Sequence, residues 1–145
     1  MFSKIFIDAN VLLDLFDVAR VSHEYSLRLY QYLLSNNVEL YTSCDIITTL
    51  YYVNSKKDKE QALINIHKIN KTLKVIEFSN PEVEATCTLM IEDSDYNDLE
   101  DTIQYILAKK YECDFIISND QKFVSKDLAV LSSEEFCAQY INEKV

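Results

Sequence analysis

Glycine is absent from this chain, and the absence excludes more function classes than any residue present suggests. Phosphate-cradling loops and the dinucleotide fingerprint both need glycine where the backbone closes on a phosphate, so neither applies. Proline occurs once, as Pro81. Cys44, Cys87, Cys113 and Cys137 include no C-x-x-C pair, which excludes zinc and thioredoxin-like readings. They read instead as reduced, mostly buried thiols of a cytoplasmic protein. No apolar run approaches the roughly 18 residues of a membrane span, and the N-terminus lacks a signal-peptide layout, so neither membrane insertion nor secretion is expected. Positive charge is scarce: 14 Lys and Arg stand against 24 Asp and Glu, a net charge of -10. Such a balance repels bulk nucleic acid but does not fix the sign of a single pocket. A dense carboxylate surface also attracts divalent cations. His23 and His67 have no partnering acid motif, and no Ser–His–Asp order suggests a nucleophilic triad.

What is present points to a globular α/β domain. With 145 residues, 48% of them hydrophobic, the chain fits one domain over residues 1–145 with a sizeable core. Strand-like runs lie at Lys4–Asp8, Glu39–Thr42, Leu73–Phe78, Asp114–Ser118 and Leu128–Leu131. Helical spacing fills the intervals: Ser22–Ser35, Asp58–Asn70, and Asp98–Tyr111 with Thr102, Ile106 and Leu107 turned inward. Asn80 before Pro81 reads as an N-cap followed by proline at the first helical position, opening a helix to about Ile91. Ser132 and Glu135 form a capping box for a last helix through Ile141. Cys44–Val53 mixes strand-like β-branched content with helical spacing at Ile47, Leu50 and Asn54, and is read as helix. Alternating strands and helices imply a three-layer α/β/α sandwich around a parallel sheet of four or five strands.

Three acidic positions carry chemistry in such a fold. Ligands of open α/β sheets bind beyond the carboxyl ends of the strands. Asp8 closes the run Phe2–Ile7 there, directly before the helical apolar run Val11-Leu12-Leu13. Asp120 follows the strand Phe115–Ser118, where an Asx-turn or helix cap would equally use it. Asp98 and Asp101, three positions apart, share one face of a helix start, where the helix dipole alone would favour them. Together with Asp93, Asp95 and Glu100 they could also form a solvated charged loop. Like charges converging on one pocket raise one another's pKa unless a cation neutralises them. Mg²⁺ or Mn²⁺ suits such oxygen ligands and supports phosphodiester cleavage.

The segments Ile7-Asp8-Ala9-Asn10-Val11-Leu12-Leu13-Asp14, Asp98-Leu99-Glu100-Asp101 with Ala108, and Phe115-Ile116-Ile117-Ser118-Asn119-Asp120 with Phe123 together resemble the three motifs of PIN-domain nucleases. Among these the chain looks most like the VapC-type toxins of toxin–antitoxin pairs. The resemblance implies a cytoplasmic Mg²⁺- or Mn²⁺-dependent endoribonuclease, commonly dimeric, with RNA as substrate and an antitoxin protein as partner. It makes Asp8, Asp101 and Asp120 catalytic acids and places Asp98 with them at the metal. Asn10 would orient Asp8 by hydrogen bonding, and Ser118 would line the pocket. The chain departs from the family at Thr49, which precedes Leu50-Tyr51-Tyr52-Val53 where an acid is expected. Thr49 would then face the cleft and Asp45 cap its helix. Weak activity that rises in Thr49→Glu follows.

Two other classes compete. A catalytically weakened PIN-like domain could act by binding protein or RNA, which Thr49 and the net charge of -10 favour. A receiver or haloacid-dehalogenase-like enzyme also uses a strand-end Asp. The latter wants a second Asp where Asn10 stands; the former wants a third-strand phosphoacceptor, where Leu73–Phe78 offers only Glu77, and a basic residue where Ser118 stands. Of the ten tyrosines, Tyr51, Tyr52 and Tyr105 fit core or interface packing, and Tyr25–Tyr32 and Tyr51–Tyr52 could form an apolar dimer patch. Lys56, Lys57 and Lys59 form the only short basic run, which reads as a solvated helix entry that could also touch phosphates.

Overall fold

A computed structural model describes residues 2–141. Five strands form one sheet: β1 (Lys4–Ile7), β2 (Glu39–Ser43), β3 (Lys74–Ile76), β4 (Phe115–Ile117) and β5 (Val130–Leu131). Their order is β3-β2-β1-β4-β5, and every pairing is parallel. Helices α1 (Ala9–Leu15) and α2 (His23–Ser35) join β1 to β2, and α3 (Cys44–Asn54) and α4 (Lys59–Thr72) join β2 to β3. From β3 the chain reverses direction through α5 (Asn80–Glu92) and α6 (Leu99–Lys110) to reach β4 on the other side of β1. Right-handed crossovers in opposite directions put these two helix groups on opposite faces, which makes the three layers. A short α7 (Ser133–Phe136) and a π-helical turn (Cys137–Ile141) close the described chain against α2.

β1 is buried on both faces, with Ile5, Phe6 and Ile7 at most 1% exposed, so it reads as a continuous apolar run and not an alternating one. Phe2, Phe115, Phe136 and Tyr140 form an aromatic cluster, with ring centroids 4.9–6.4 Å apart and Phe2 edge-on to the other three, that anchors α7 and its π turn to the starts of β1 and β4. The lack of glycine shows at two helix ends. Asn37 (φ 55°) and Glu112 (φ 57°) take the left-handed position that glycine usually fills. The Val38 N–H reaches the Leu33 carbonyl at 3.1 Å and the Cys113 N–H reaches that of Ala108 at 2.9 Å, so both helices still end in Schellman-type closures.

Local expectations are met with adjustments. The edge strands β3 and β5 are shorter than the apolar runs suggested. Ser79, not Asn80, caps α5: Glu82 stands three residues after Ser79 and accepts its N–H at 2.8 Å, closing a capping box that Asn80 could not form. Ser132 and Glu135 do form their box. The thiols divide evenly, Cys113 and Cys137 being buried while Cys44 and Cys87 are exposed. No helix among the described residues is long and apolar enough to cross a membrane.

Candidate active site

The order β3-β2-β1-β4-β5 places the topological switch between β1 and β4, which both run toward the same end of the sheet. A crevice opens at such a point beyond the strand ends. The register Ile7↔Ile117 makes Asp8 and Ser118 neighbours across it. Asp8 is 4% exposed and doubly held: Oδ1 accepts the Ala9 N–H at 2.7 Å, capping α1, and Oδ2 accepts the Ser118 hydroxyl at 2.7 Å. Burial is the largest influence on Asp8 and pushes its pKa up, with the field of Asp120 adding to it; the donors Ser118, Ala9 and Gln104 pull the other way. Asn10 makes no hydrogen bond to Asp8 among the described residues. Its Oδ1 accepts the Asn119 N–H at 3.2 Å, so the orienting hydrogen bond expected of Asn10 is made by Ser118.

Asp101 lies in the first turn of α6. Burial, then the fields of Asp8, Asp98, Asp120 and Glu100, push its pKa up to about 7. Its carboxylate accepts no hydrogen bond among the described residues. Asp98 is the N-cap of the same helix, its Oδ1 accepting the Asp101 N–H at 2.9 Å, so its capping role and its place beside the cluster coexist. Asp120 likewise closes an Asx-turn onto the Lys122 N–H at 2.9 Å, is exposed, and reaches Asp8 and Asp101 through its field.

Two members of this site carry no role in the sequence reading. Glu100 is raised by partial desolvation of its carboxylate, then by Asp45, Asp8 and Asp98. Gln104 is wholly buried one turn after Asp101; its amide leans toward Asp8, yet neither Nε2 nor Oε1 completes a hydrogen bond among the described residues. The signal for Gln104 was its helical spacing from Asp101; Glu100, next to Asp101, has no such spacing. Asp45 also differs from expectation. Ser43 is the N-cap of α3, and Asp45, in the first turn, accepts the Ser43 hydroxyl while its field reaches Glu100. Thr49 sits one turn further along α3, half-buried. The acid of α3 that couples to the cluster is therefore Asp45.

All donors in this cluster are carboxylate oxygens, with one amide and one hydroxyl beside them. That set suits a hard divalent cation and no soft one. Among the described residues no three His, Cys, Asp or Glu side chains stand close enough to cage an ion unaided. Mg²⁺ does not require a cage, because it keeps several waters and binds through one or two carboxylates.

A PIN-domain family model matches residues 4–122. Ribonuclease VapC1 of Aquifex aeolicus is 49% identical over 137 residues, covering 94% of this chain and 95% of that protein. The solved structure of the Mycobacterium tuberculosis toxin VapC20, described as cleaving the sarcin-ricin loop, superposes with a TM-score of 0.69 at 13% identity over 86% of this chain and 96% of that one. VapBC2 of Rickettsia felis, solved on a promoter DNA fragment, gives 0.70 at 17% identity over 89% and 98%. A toxin–antitoxin complex from Klebsiella pneumoniae gives 0.67 at 20% over 89% and 97%. The sheet order, the acids gathered at its switch point and these likenesses agree: the chain belongs to the PIN-domain family.

Proposed function

We propose that the protein is a divalent-metal-dependent endoribonuclease and the toxin of a toxin–antitoxin pair. The observation that carries this reading is the coupling of Asp8, Asp98, Glu100, Asp101 and Asp120 at the β1/β4 crevice without a neutralising lysine. The name of the Aquifex relative supports RNA as substrate, and the Rickettsia and Klebsiella complexes support an antitoxin partner.

Asp8 and Asp101 would hold Mg²⁺ or Mn²⁺, with Asp98, Asp120 and Asp45 around them. The bound ion supplies Lewis-acid polarisation of the phosphoryl oxygen and offsets the charge that develops in hydrolysis. Ser118 and the Ala9 N–H fix the Asp8 carboxylate in one orientation before substrate arrives, so no reorganisation is needed at that group. Asp101, its pKa pushed up to about 7, is a stronger base than an ordinary carboxylate, which suits it to accept a water proton, and a bound cation would displace the proton that it keeps. Asp45 supplies from α3 the negative charge that Thr49 lacks.

Cleavage of single-stranded RNA by the wild type and by Asp8→Asn, with and without Mn²⁺, tests this. Cleavage should require the ion and vanish in the variant. Cleavage that survives either change refutes the mechanism, and no cleavage by any form favours the alternative, a PIN-like binding module.

We also propose a homodimer. Tyr25, Tyr30 and Tyr32 pack against the core and leave no free patch on α2, whereas Tyr51, Tyr52, Val53, Leu63 and Ile64 are 36–67% exposed along α3 and α4.

A further inference from the structure

A second buried charge lies beside the carboxylate cluster. Asp14, at the end of α1, is 3% exposed. Its Oδ2 accepts Ser26 Oγ at 3.0 Å and Asn119 Nδ2 at 2.7 Å, and its Oδ1 accepts Arg20 Nε at 2.7 Å. Asn119 continues inward to Ser133, accepting its N–H at 2.8 Å and donating to its hydroxyl at 3.1 Å. The buried members of this network satisfy one another. Arg20 does not finish there. Only its Nε is used, its two Nη groups bond nothing among the described residues, and its side chain is 35% exposed.

That free edge borders a cavity of about 370 Å³ lined by Asn10, Asp14, Arg20, Val21, Ser22 and Asn119. Val21, Ser22 and Asn119 also wall a larger cavity of about 670 Å³, which reaches Ser118 and Asp120. The two cavities therefore adjoin at these three residues, with Asp120 on the wall of one and Arg20 on the wall of the other. Both volumes lie in the roughly 300–1,000 Å³ range of small-ligand sites.

We propose that Arg20, aimed by Asp14, binds the RNA backbone phosphate flanking the scissile one, and that the joined cavities hold the nucleotide between them. This rests on the ribonuclease reading. An acidic cluster can receive one phosphate through a cation, but the neighbouring phosphates meet a chain of net charge -10 and need a fixed positive partner. Two of the three lysines of the basic run are engaged elsewhere. Lys56 Nζ lies 4.3 Å from the Tyr52 ring centre, and Lys57, 3.6 Å from Asp17, borders a separate cavity with Phe16 and Asn65. A guanidinium held along its Nε edge by a buried carboxylate presents its Nη pair without further ordering, the arrangement that suits a phosphate fork.

The test is single-site replacement of RNA phosphates by neutral methylphosphonates, scanned through the strand, with KM and kcat measured under Mn²⁺ for wild type, Arg20→Ala and Arg20→Lys. In the wild type one position beside the cleaved bond should raise KM roughly tenfold, and Arg20→Ala should raise KM by a like factor on unmodified RNA. In Arg20→Ala the same replacement should cost nothing further, and the salt slope of binding should fall by about 0.7. Arg20→Lys should lie between, and it carries the comparison if Arg20→Ala does not fold. A flat scan in the wild type, or equal penalties with and without Arg20, overturns the site while leaving the nuclease intact, and would give the fork to a protein carboxylate. A wild type that neither binds nor cuts RNA overturns both readings.

Discussion

Replacing Asp101 by Asn should stabilise the metal-free protein while removing its function. The carboxyl pKa stands at about 7 in the folded chain against an ordinary 3.8. The folded state thus binds this proton more tightly than the unfolded state does. Between those two values stability falls as pH rises, and above about 7 the whole penalty is present. For a fully buried group that displacement corresponds to about 4 kcal/mol. Asp101 is partly exposed and water screens its neighbours' fields, so about 2 kcal/mol is the effect to expect. Because its carboxylate accepts no hydrogen bond among the described residues, Asn sacrifices nothing there. In EDTA at pH 8, Asp101→Asn should raise the unfolding midpoint by about 4–8 °C. At pH 5.5, near the middle of that interval, about half of the gain should remain, because the unfolded chain has already lost the proton that the folded chain keeps. With millimolar Mn²⁺ the wild type should recover more stability than the variant, through the free energy of binding. Thermal unfolding followed by circular dichroism at the two pH values decides the matter. Destabilisation at both, or an equal gain at both, would refute the argument that repulsion and burial hold this group near neutrality.

Other consequences can be measured separately. Asp45→Asn should weaken Mn²⁺ binding in calorimetry by about tenfold, the scale of a residue acting around the ligands, while Thr49→Ala should change it little; the reverse ranking would return the position on α3 to Thr49. Glu112→Gly should raise stability by about 1 kcal/mol in urea unfolding, since a non-glycine residue at φ 57° carries a steric cost; a lower midpoint would show that the Glu112 side chain compensates. Sedimentation at micromolar concentration should give a dimer that Leu63→Glu dissociates, and a monomeric wild type would remove the α3–α4 interface.

Much of this architecture was legible because its central strands are buried on both faces. β1 and β4 therefore stand out as short apolar runs, each ending near an aspartate. α3 was ambiguous in sequence because Ile46, Ile47, Thr48 and Thr49 favour strands locally; Ile46 and Leu50, one turn apart and at most 1% exposed, decide for helix through packing. The hydrogen bond to Asp8 expected of Asn10 is made by Ser118, which also lines the larger cavity as expected, because the choice depends on which strand lies beside β1. Only the pairing Ile7↔Ile117 brings Ser118 onto Asp8 and leaves Asn10 to the Asn119 backbone. Asp45 was assigned to capping for a similar reason: its tie to Glu100 joins α3 to α6, two elements far apart in the chain. Spacing along one helix cannot show a field that arrives from another. Arg20 carried no signal at all, because its significance depends on a buried Asp14 and on cavities formed by three separate segments.

The acids between Asp93 and Asp101 separate a solvated loop from a site without any appeal to likeness. Asp93 and Asp95 share Lys126, whose Nζ lies 2.7 and 2.8 Å from their carboxylates. Asp93 is held below its ordinary pKa, first by that lysine. Such acids behave as surface charge does, each answered by a cation. A few residues later the pattern inverts. Asp98, Glu100 and Asp101 enter no ion pair among the described residues, and neither do Asp8, Asp45 or Asp120, although Lys122 shares a small cleft with Asp98 and Asp101. Asp8, Asp98 and Asp120 are positioned by neutral donors instead: a serine hydroxyl and three backbone N–H groups. Neutral donors fix a carboxylate without cancelling its charge. A cluster built only for folding would gain from a lysine at any of these positions, since unanswered repulsion is a standing cost. Lysines pair with the acids on the flanks, and none forms an ion pair at the crevice among the described residues, which leaves its negative charge for a ligand that brings positive charge of its own.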